Sequence, residues 1–501
     1  MRESRIVQMR GPVRMTRRGV IAGLLGSLAH GALAEAPTTS LFPVPRGGKP
    51  RAVQPTVAQL IADANLTGVL TFVVADAQTG RVIEGEGADT PVPPASVTKM
   101  VTALYGLEHL GPDYRFRTEV LVTGPVLNGI VQGDLILAGG GDPTLDTDRL
   151  AALAARLAAA GVKGITGRFG VYAGALPFIR QIDADQPAFV SYNPAIAGLN
   201  LNFNRVHFSW RRRDSGYALA MDARSDAVVP PVTMAVMQVV EREVPLFAYV
   251  QGARTDEWTV ARGALGREGS RWLPVRRPAT YAAEVFAWCA AAQGLSLPTA
   301  QDLDLRPEGT VLASDQSVAL SEVLRDMLLY STNLIAECVG LATSDLRTLV
   351  QSGAAMTQWA HAALGAQAQF VDHSGLEAAS FTTAADMVRV LVAAPGLPQG
   401  NILPDLLRDV GMRDDKGKVI AGHAVQVRAK SGTLNFVSGL AGYIMPPGGR
   451  QLAFAIYAAD VPRRARLGPN EMEDPQGGEA WTRRARVLHG RLISRWAALY
   501  G

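Results

Sequence analysis

The chain has 501 residues, 48% of them hydrophobic and 19% charged, a composition that excludes a disordered chain and is too long for one ordinary core of about 150 residues. Two cysteines exclude a disulfide scaffold and any cysteine-rich zinc or iron–sulfur centre. The net charge is +4, but residues 1–34 hold six arginines against one acid, so the remaining chain carries −1 and a global electrostatic case for nucleic acid fails.

Arg17-Arg18 precede an uncharged stretch, residues 19–34, that closes on the small-x-small pattern Ala32-Leu33-Ala34 before Glu35. This is the layout of an export signal cleaved near Ala34. The stretch is short and glycine-rich for a membrane span, which takes about 20 apolar residues. Thr16-Arg17-Arg18-Gly19-Val20 matches a twin-arginine signal in part, so the Tat and Sec routes both stay open. Export places the protein in the periplasm or another extracytoplasmic, oxidising compartment. Cys289 and Cys338 both lie in apolar helical patterns and read as small buried hydrophobes, with a disulfide as the alternative.

Residues 35–54 are proline-rich and aperiodic, as in a linker. Residues 66–83 alternate around Thr79-Gly80, the pattern of a hairpin. Pro93-Pro94-Ala95-Ser96 leads into a helix over 97–110, with Met100, Val101, Leu104 and Leu107 at helical spacing. Residues 116–138 read as a second hairpin turning at Asn128-Gly129. An alanine-rich helix over 150–160 follows, and residues 164–310 are mainly strand and loop apart from a helix at 280–292. Helical periodicity returns over 318–329 and again after Ser331. Strands are predicted at 425–427, 439–445 and 452–459, and an amphipathic helix at 478–500. Sheet elements at both ends with helices between them predict an α+β domain interrupted by a long, mainly β insertion. The last helix carries Trp481, Leu488, Leu492, Trp496 and Leu499 on one side; this stripe fits packing on a sheet, with peripheral membrane contact as the alternative.

Three short motifs carry chemistry. Ser96-Val97-Thr98-Lys99 places a lysine beside a serine on one helix face at a helix N-terminus. A serine hydroxyl needs such a base, and the lysine serves only if burial, a second cation or the helix end lowers its pKa. Ser331-Thr332-Asn333 offers a hydroxyl for proton relay and an amide to hold a substrate backbone. Lys430-Ser431-Gly432-Thr433 ends an alternating run; Lys430 is the second cation, and Gly432 would let a substrate lie against the strand edge. Each motif alone has a plain structural explanation: helix cap, helix break, strand end.

In this order and local context the three resemble the active-serine set of penicillin-binding proteins and β-lactamases. Between Lys99 and Ser331 lie 231 residues, positions 100–330, an insertion similar to that of the low-molecular-mass D-alanyl-D-alanine carboxypeptidases/endopeptidases. The segments 133–145 and Asp372-His373-Ser374-Gly375-Leu376 also resemble that family. The resemblance implies a β-lactamase/transpeptidase-like domain, an antiparallel sheet flanked by helices, at residues 55–115 and 300–501. It implies inserted, mainly β domains at 116–299, two of them, one nested in the other. It implies Ser96, Lys99, Ser331, Asn333 and Lys430 as catalytic residues, and Ser431, Gly432 and Thr433 as substrate-binding ones. Peptidoglycan stem peptides and cross-links would be the substrate and β-lactam antibiotics the inhibitors, with no cofactor.

Two features depart from the family: Lys-Ser-Gly replaces Lys-Thr-Gly, and Glu377-Ala378 stands where Ser-Arg is common, which puts recognition of the stem-peptide side chain in doubt. A β-lactamase is one alternative, against which stand the long insertion and the lack of an E-x-x-L-N-like segment between Asn333 and Lys430. A catalytically silent peptidoglycan-binding scaffold is another, against which stand the intact motif residues. The seven histidines form no H-E-x-x-H pattern, so no metal is expected.

Overall fold

A computed structural model describes residues 54–414, 418–468 and 471–500. The export signal at 1–34 and nearly all of the linker at 35–54 lie outside them. Residues 55–501 cluster as one unit.

The central element is a six-stranded antiparallel sheet. Its order is Arg408–Asp409, Gln426–Leu434, Val437–Met445, Leu452–Ala459, Val69–Asp76, Val82–Glu86. The first long strand pairs along its full length with the last, Val69 opposite Ala459 and Asp76 opposite Leu452. Val437–Met445 and Leu452–Ala459 read as nearly continuous apolar runs because both sheet faces are covered.

On one face Ala441, Tyr443, Ala455 and Tyr457 pack against Met100, Leu104 and Leu107 of helix Lys99–Leu110 and against Val323, Leu324 and Met327 of helix Leu320–Tyr330. On the other, Phe72, Val74, Phe454 and Ile456 meet Leu488, Leu492 and Trp496 of helix Gly478–Tyr500. The apolar stripe of that last helix is therefore spent on the sheet. Among the described residues no helix is long and apolar enough to cross a membrane.

The insertion carries its own core. A five-stranded sheet contains Arg117–Val122, Leu135–Gly139 and Phe169–Tyr172, and is completed by Gln301–Leu303 and Thr310–Gln316 from beyond the expected boundary at 299. Thr310–Gln316 pairs with Arg117–Val122, so long-range pairing carries residues 301–316 into the insertion. Two three-stranded sheets, built from residues 205–274, lie within the span bounded by this sheet. The expected second hairpin forms. Asn128-Gly129, both at positive φ, joins Val126–Leu127 to Ile130–Val131, and in the same register Arg117–Val122 pairs with Leu135–Gly139.

One part of the insertion reaches the central domain. Leu176, Ile182 and Ile196 pack on Leu334, Cys338 and Leu341 of helix Asn333–Ser344. Cys289 and Cys338 are both buried and free.

Candidate active site

The serine motif forms a 3₁₀ turn, Ala95–Thr98, running directly into helix Lys99–Leu110. Ala95 is buried and held at φ +48°, a left-handed conformation that costs a non-glycine residue energy and marks a tightly determined site. Two glycines close on this turn. A Cβ at Gly375 would lie 2.0 Å from the carbonyl oxygen of Ala95. A Cβ at Gly432 would lie 2.8 Å from that of Pro94 and 3.0 Å from the Ser96 nitrogen. Gly432 is thus required for strand Gln426–Leu434 to approach the serine, a reason different from the substrate contact expected of it.

Lys99 is completely buried. Its Nζ donates to Ser96 Oγ at 2.9 Å, Asn333 Oδ1 at 2.7 Å and the Ser374 carbonyl at 2.8 Å. The last two partners accept only. A neutral amine spends its two N–H bonds on them and turns its lone pair to the Ser96 hydroxyl. Burial lowers the Lys99 pKa, to about 8, against the carboxylates of Glu337 and Asp372, which hold it up.

The second motif bends the chain between two helices. Ser331, at φ +59°, ends helix Leu320–Tyr330, and Asn333 starts the next. The Asn333 amide is fixed from both sides: its oxygen faces Lys99 and its Nδ2 donates to the carbonyl of Tyr192, in the insertion, at 2.9 Å.

Lys430 Nζ donates to Ser331 Oγ at 2.9 Å and to the Ser431 carbonyl at 2.6 Å. Burial pulls its pKa well down, with the positive charges of Lys99 and Arg408 adding. The short strand Arg408–Asp409 pairs only with Ala429 and Arg428, leaving the outer edge of Gln426–Leu434 open from Lys430 onward. Val427 accepts the Val410 N–H on that edge. By the two-residue alternation the main-chain groups of Ser431 and Thr433 share it.

The predicted residues therefore come together. Ser96, Ser331, Asn333, Ser431 and Thr433 line one cleft of about 1180 Å³. Lys99 and Lys430 support it from below through the hydrogen bonds above.

Two further groups had no role assigned from sequence. Glu337, one turn after Asn333 and fully buried, accepts the backbone N–H groups of His373 and Ser374 at 3.0 and 2.9 Å. It thereby sets the Ser374 carbonyl that holds Lys99. Burial, with Asp372 adding, pushes its carboxyl up. Asp372 organises the same turn by accepting the N–H groups of Gly375, Leu376 and Glu377 at 3.0, 2.8 and 3.0 Å. A lone carboxylate in the apolar run Leu334–Val339 was the available signal for Glu337. Beside this turn, burial pushes the half-buried Glu377 carboxyl up to about 7, with Asp183, Asp372 and Asp185 adding.

Residues 53–474 match the D-Ala-D-Ala carboxypeptidase 3 (S13) family. The chain belongs to that family. It is accordingly a serine-type hydrolase of the carboxypeptidase/endopeptidase class. It acts on peptidoglycan stem peptides, is inhibited by β-lactams, and works outside the cytoplasm. It is 28% identical over 494 residues to the D-alanyl-D-alanine carboxypeptidase of an Actinomadura species, covering 89% of each chain. It is 27% identical to carboxypeptidase DacB of Mycolicibacterium smegmatis, covering 81% of this chain and 80% of that one. Its fold superposes on penicillin-binding protein 4 of Haemophilus influenzae with TM-score 0.70 at 19% identity, over 88% of this chain and all of that one.

Proposed function

We propose that Ser96 is the nucleophile of a D-Ala-D-Ala carboxypeptidase that also cleaves D-Ala cross-links, and that Lys99 is its base. The observation that carries this is the Lys99 amine 2.9 Å from Ser96 Oγ, buried, with its other two contacts made to acceptors. Lys99 takes the Ser96 proton as Oγ attacks the carbonyl of the penultimate D-Ala. The backbone N–H groups of Ser96 and Thr433 receive the oxyanion; one such donor is worth about 3–4 kcal/mol of barrier. The proton passes through Ser331, oriented by Lys430, to the leaving amine, and the C–N bond breaks. Water then attacks the ester on Ser96 and restores the hydroxyl. Asn333 holds the acyl portion of the substrate, and Ser431 and Thr433 meet its carboxylate end. A penicillin follows the same first step, but its leaving amine stays tethered and the ester persists.

The test combines fluorescent-penicillin labelling with D-alanine release from a stem pentapeptide. Slow, persistent label with D-alanine release supports the reading. Rapid penicillin turnover without D-alanine release would make the protein a β-lactamase, and no label a silent scaffold. The leader at 1–34 is exported and cleaved near Ala34. N-terminal sequencing of envelope protein should begin near Glu35, and a full-length cytoplasmic chain would refute it.

A further inference from the structure

The cleft does not stop at the catalytic residues. It continues past the end of strand Gln426–Leu434 to one wall of the last helix, where Thr482, Arg483, Arg486 and His489 line it. The strand's periodicity explains what meets there. Val427 and Ala429 face the last helix and pack with Leu488, Leu492 and Trp496. Side chains two residues apart share a sheet face, so the hydroxyls of Ser431 and Thr433 continue that row, while Lys430 faces Ser331. At Ser431 the apolar packing gives way to open cleft.

Arg486 Nη2 already points at Thr433 Oγ1, 3.4 Å away. Arg483 lies three residues earlier, on the same helix face, and lines the same cleft. His489, one turn further on, is buried and kept neutral by burial, with the Arg486 charge adding. The cations of this wall are therefore the two arginines, against one acid of the same helix, Glu479, a turn before Arg483. Arg486 is exposed, so its guanidinium is accessible to a substrate without rearrangement.

A D-Ala-D-Ala end carries a free carboxylate on the carbon next to the leaving nitrogen. With the acyl carbonyl over Ser96 and the leaving nitrogen near Ser331, that carboxylate lies at the Ser431–Thr433 end of the strand. Two hydroxyls orient an anion but do not neutralise it; a guanidinium does both. We propose that Arg486, with Arg483 behind it, binds the carboxylate of the leaving residue and makes the last helix part of the substrate site. A cross-link whose leaving amine sits on an amino-acid α-carbon, as in diaminopimelate, presents a carboxylate at the same carbon, and for that class one clamp serves both reactions.

The inference rests on the reading of Ser96 and Lys99 given above, and the experiment separates the two. The kcat/KM of wild type, Arg486→Gln and Arg486→Lys is measured on an acylated D-Ala-D-Ala peptide and on the same peptide ending in a carboxamide. Wild type should prefer the carboxylate. In Arg486→Gln that preference should fall about tenfold or more, and Arg486→Lys should recover part of it. Melting temperature checks the fold of each variant. An equal loss on both peptides, or an unchanged preference, overturns the clamp and leaves the catalytic reading standing. Failure of wild type to cleave either peptide overturns both.

Discussion

Glu337→Gln should move the acidic limb of the acylation profile to lower pH. Glu337 and Lys99 are joined through one residue, the carboxylate accepting the Ser374 N–H and the ammonium donating to the Ser374 carbonyl. Two backbone N–H groups and the Lys99 charge favour the ionised carboxylate against the burial that pushes it up, and to the extent that it is ionised it favours the protonated lysine. For a full charge on the order of 6 Å away, at an effective dielectric near 20, the attraction is about 3 kcal/mol. That sets an upper bound of roughly two pH units on the shift, reduced by the fraction of Glu337 that stays protonated. Removing the charge lowers the Lys99 pKa, and because the free amine is the base, acylation begins at lower pH. The amide can accept only one of the two N–H groups, and its own NH₂ faces the other, so stability falls by about 1–3 kcal/mol. The assay is the rate of acylation by a chromogenic cephalosporin from about pH 5 to about pH 10, a range that brackets the shifted and unshifted lysine. An acidic limb that stays in place, or moves upward, would refute the electrostatic argument.

Lys430→Met tests the second lysine. Burial and the Lys99 charge pull the Lys430 pKa well down, so the acidic limb set by Lys99 should stay in place, while acylation slows through loss of the contact to Ser331; a carboxylate-free reporter ester isolates this from substrate binding, and a limb that rises by about one unit would show that Lys430 is charged beside Lys99. Gly432→Ala puts a methyl 2.8 Å from the Pro94 carbonyl oxygen and pushes the strand off the serine turn. Penicillin acylation should slow by about tenfold or more, with about 1–3 kcal/mol of stability lost in a thermal or urea melt; wild-type acylation in this variant would show that the approach is not needed.

The pattern of the catalytic residues was legible because each motif is short and locally determined: a serine and lysine on one helix turn, a serine and asparagine flanking a helix break, a lysine on an alternating strand. What brings them together was not. Thr310–Gln316 looked like part of the central domain, and only its pairing with Arg117–Val122 assigns it to the insertion. Asn128-Gly129, by contrast, marked its hairpin correctly: Arg117–Val122 and Leu135–Gly139 pair in the register that this two-residue turn sets. In helix Leu349–Leu364 alanine, threonine and glutamine blur the apolar stripe, and in Ala384–Ala393 the short run with Val388, Val390 and Val392 reads equally well as a strand. Their threonine caps, Thr348 and Thr383, were the usable marks. Glu337 was hidden for a different reason. Its role depends on two backbone amides from a turn 36 and 37 residues away.

The most direct test of the account is the site of the penicillin adduct. Wild type and Ser96→Ala are incubated with benzylpenicillin, digested, and mapped by mass spectrometry. The account predicts a stable adduct on the wild-type peptide containing Ser96, none in Ser96→Ala, and loss of D-alanine release in the same variant with an unchanged melting profile. An adduct on any other residue, or label retained by Ser96→Ala, would contradict it.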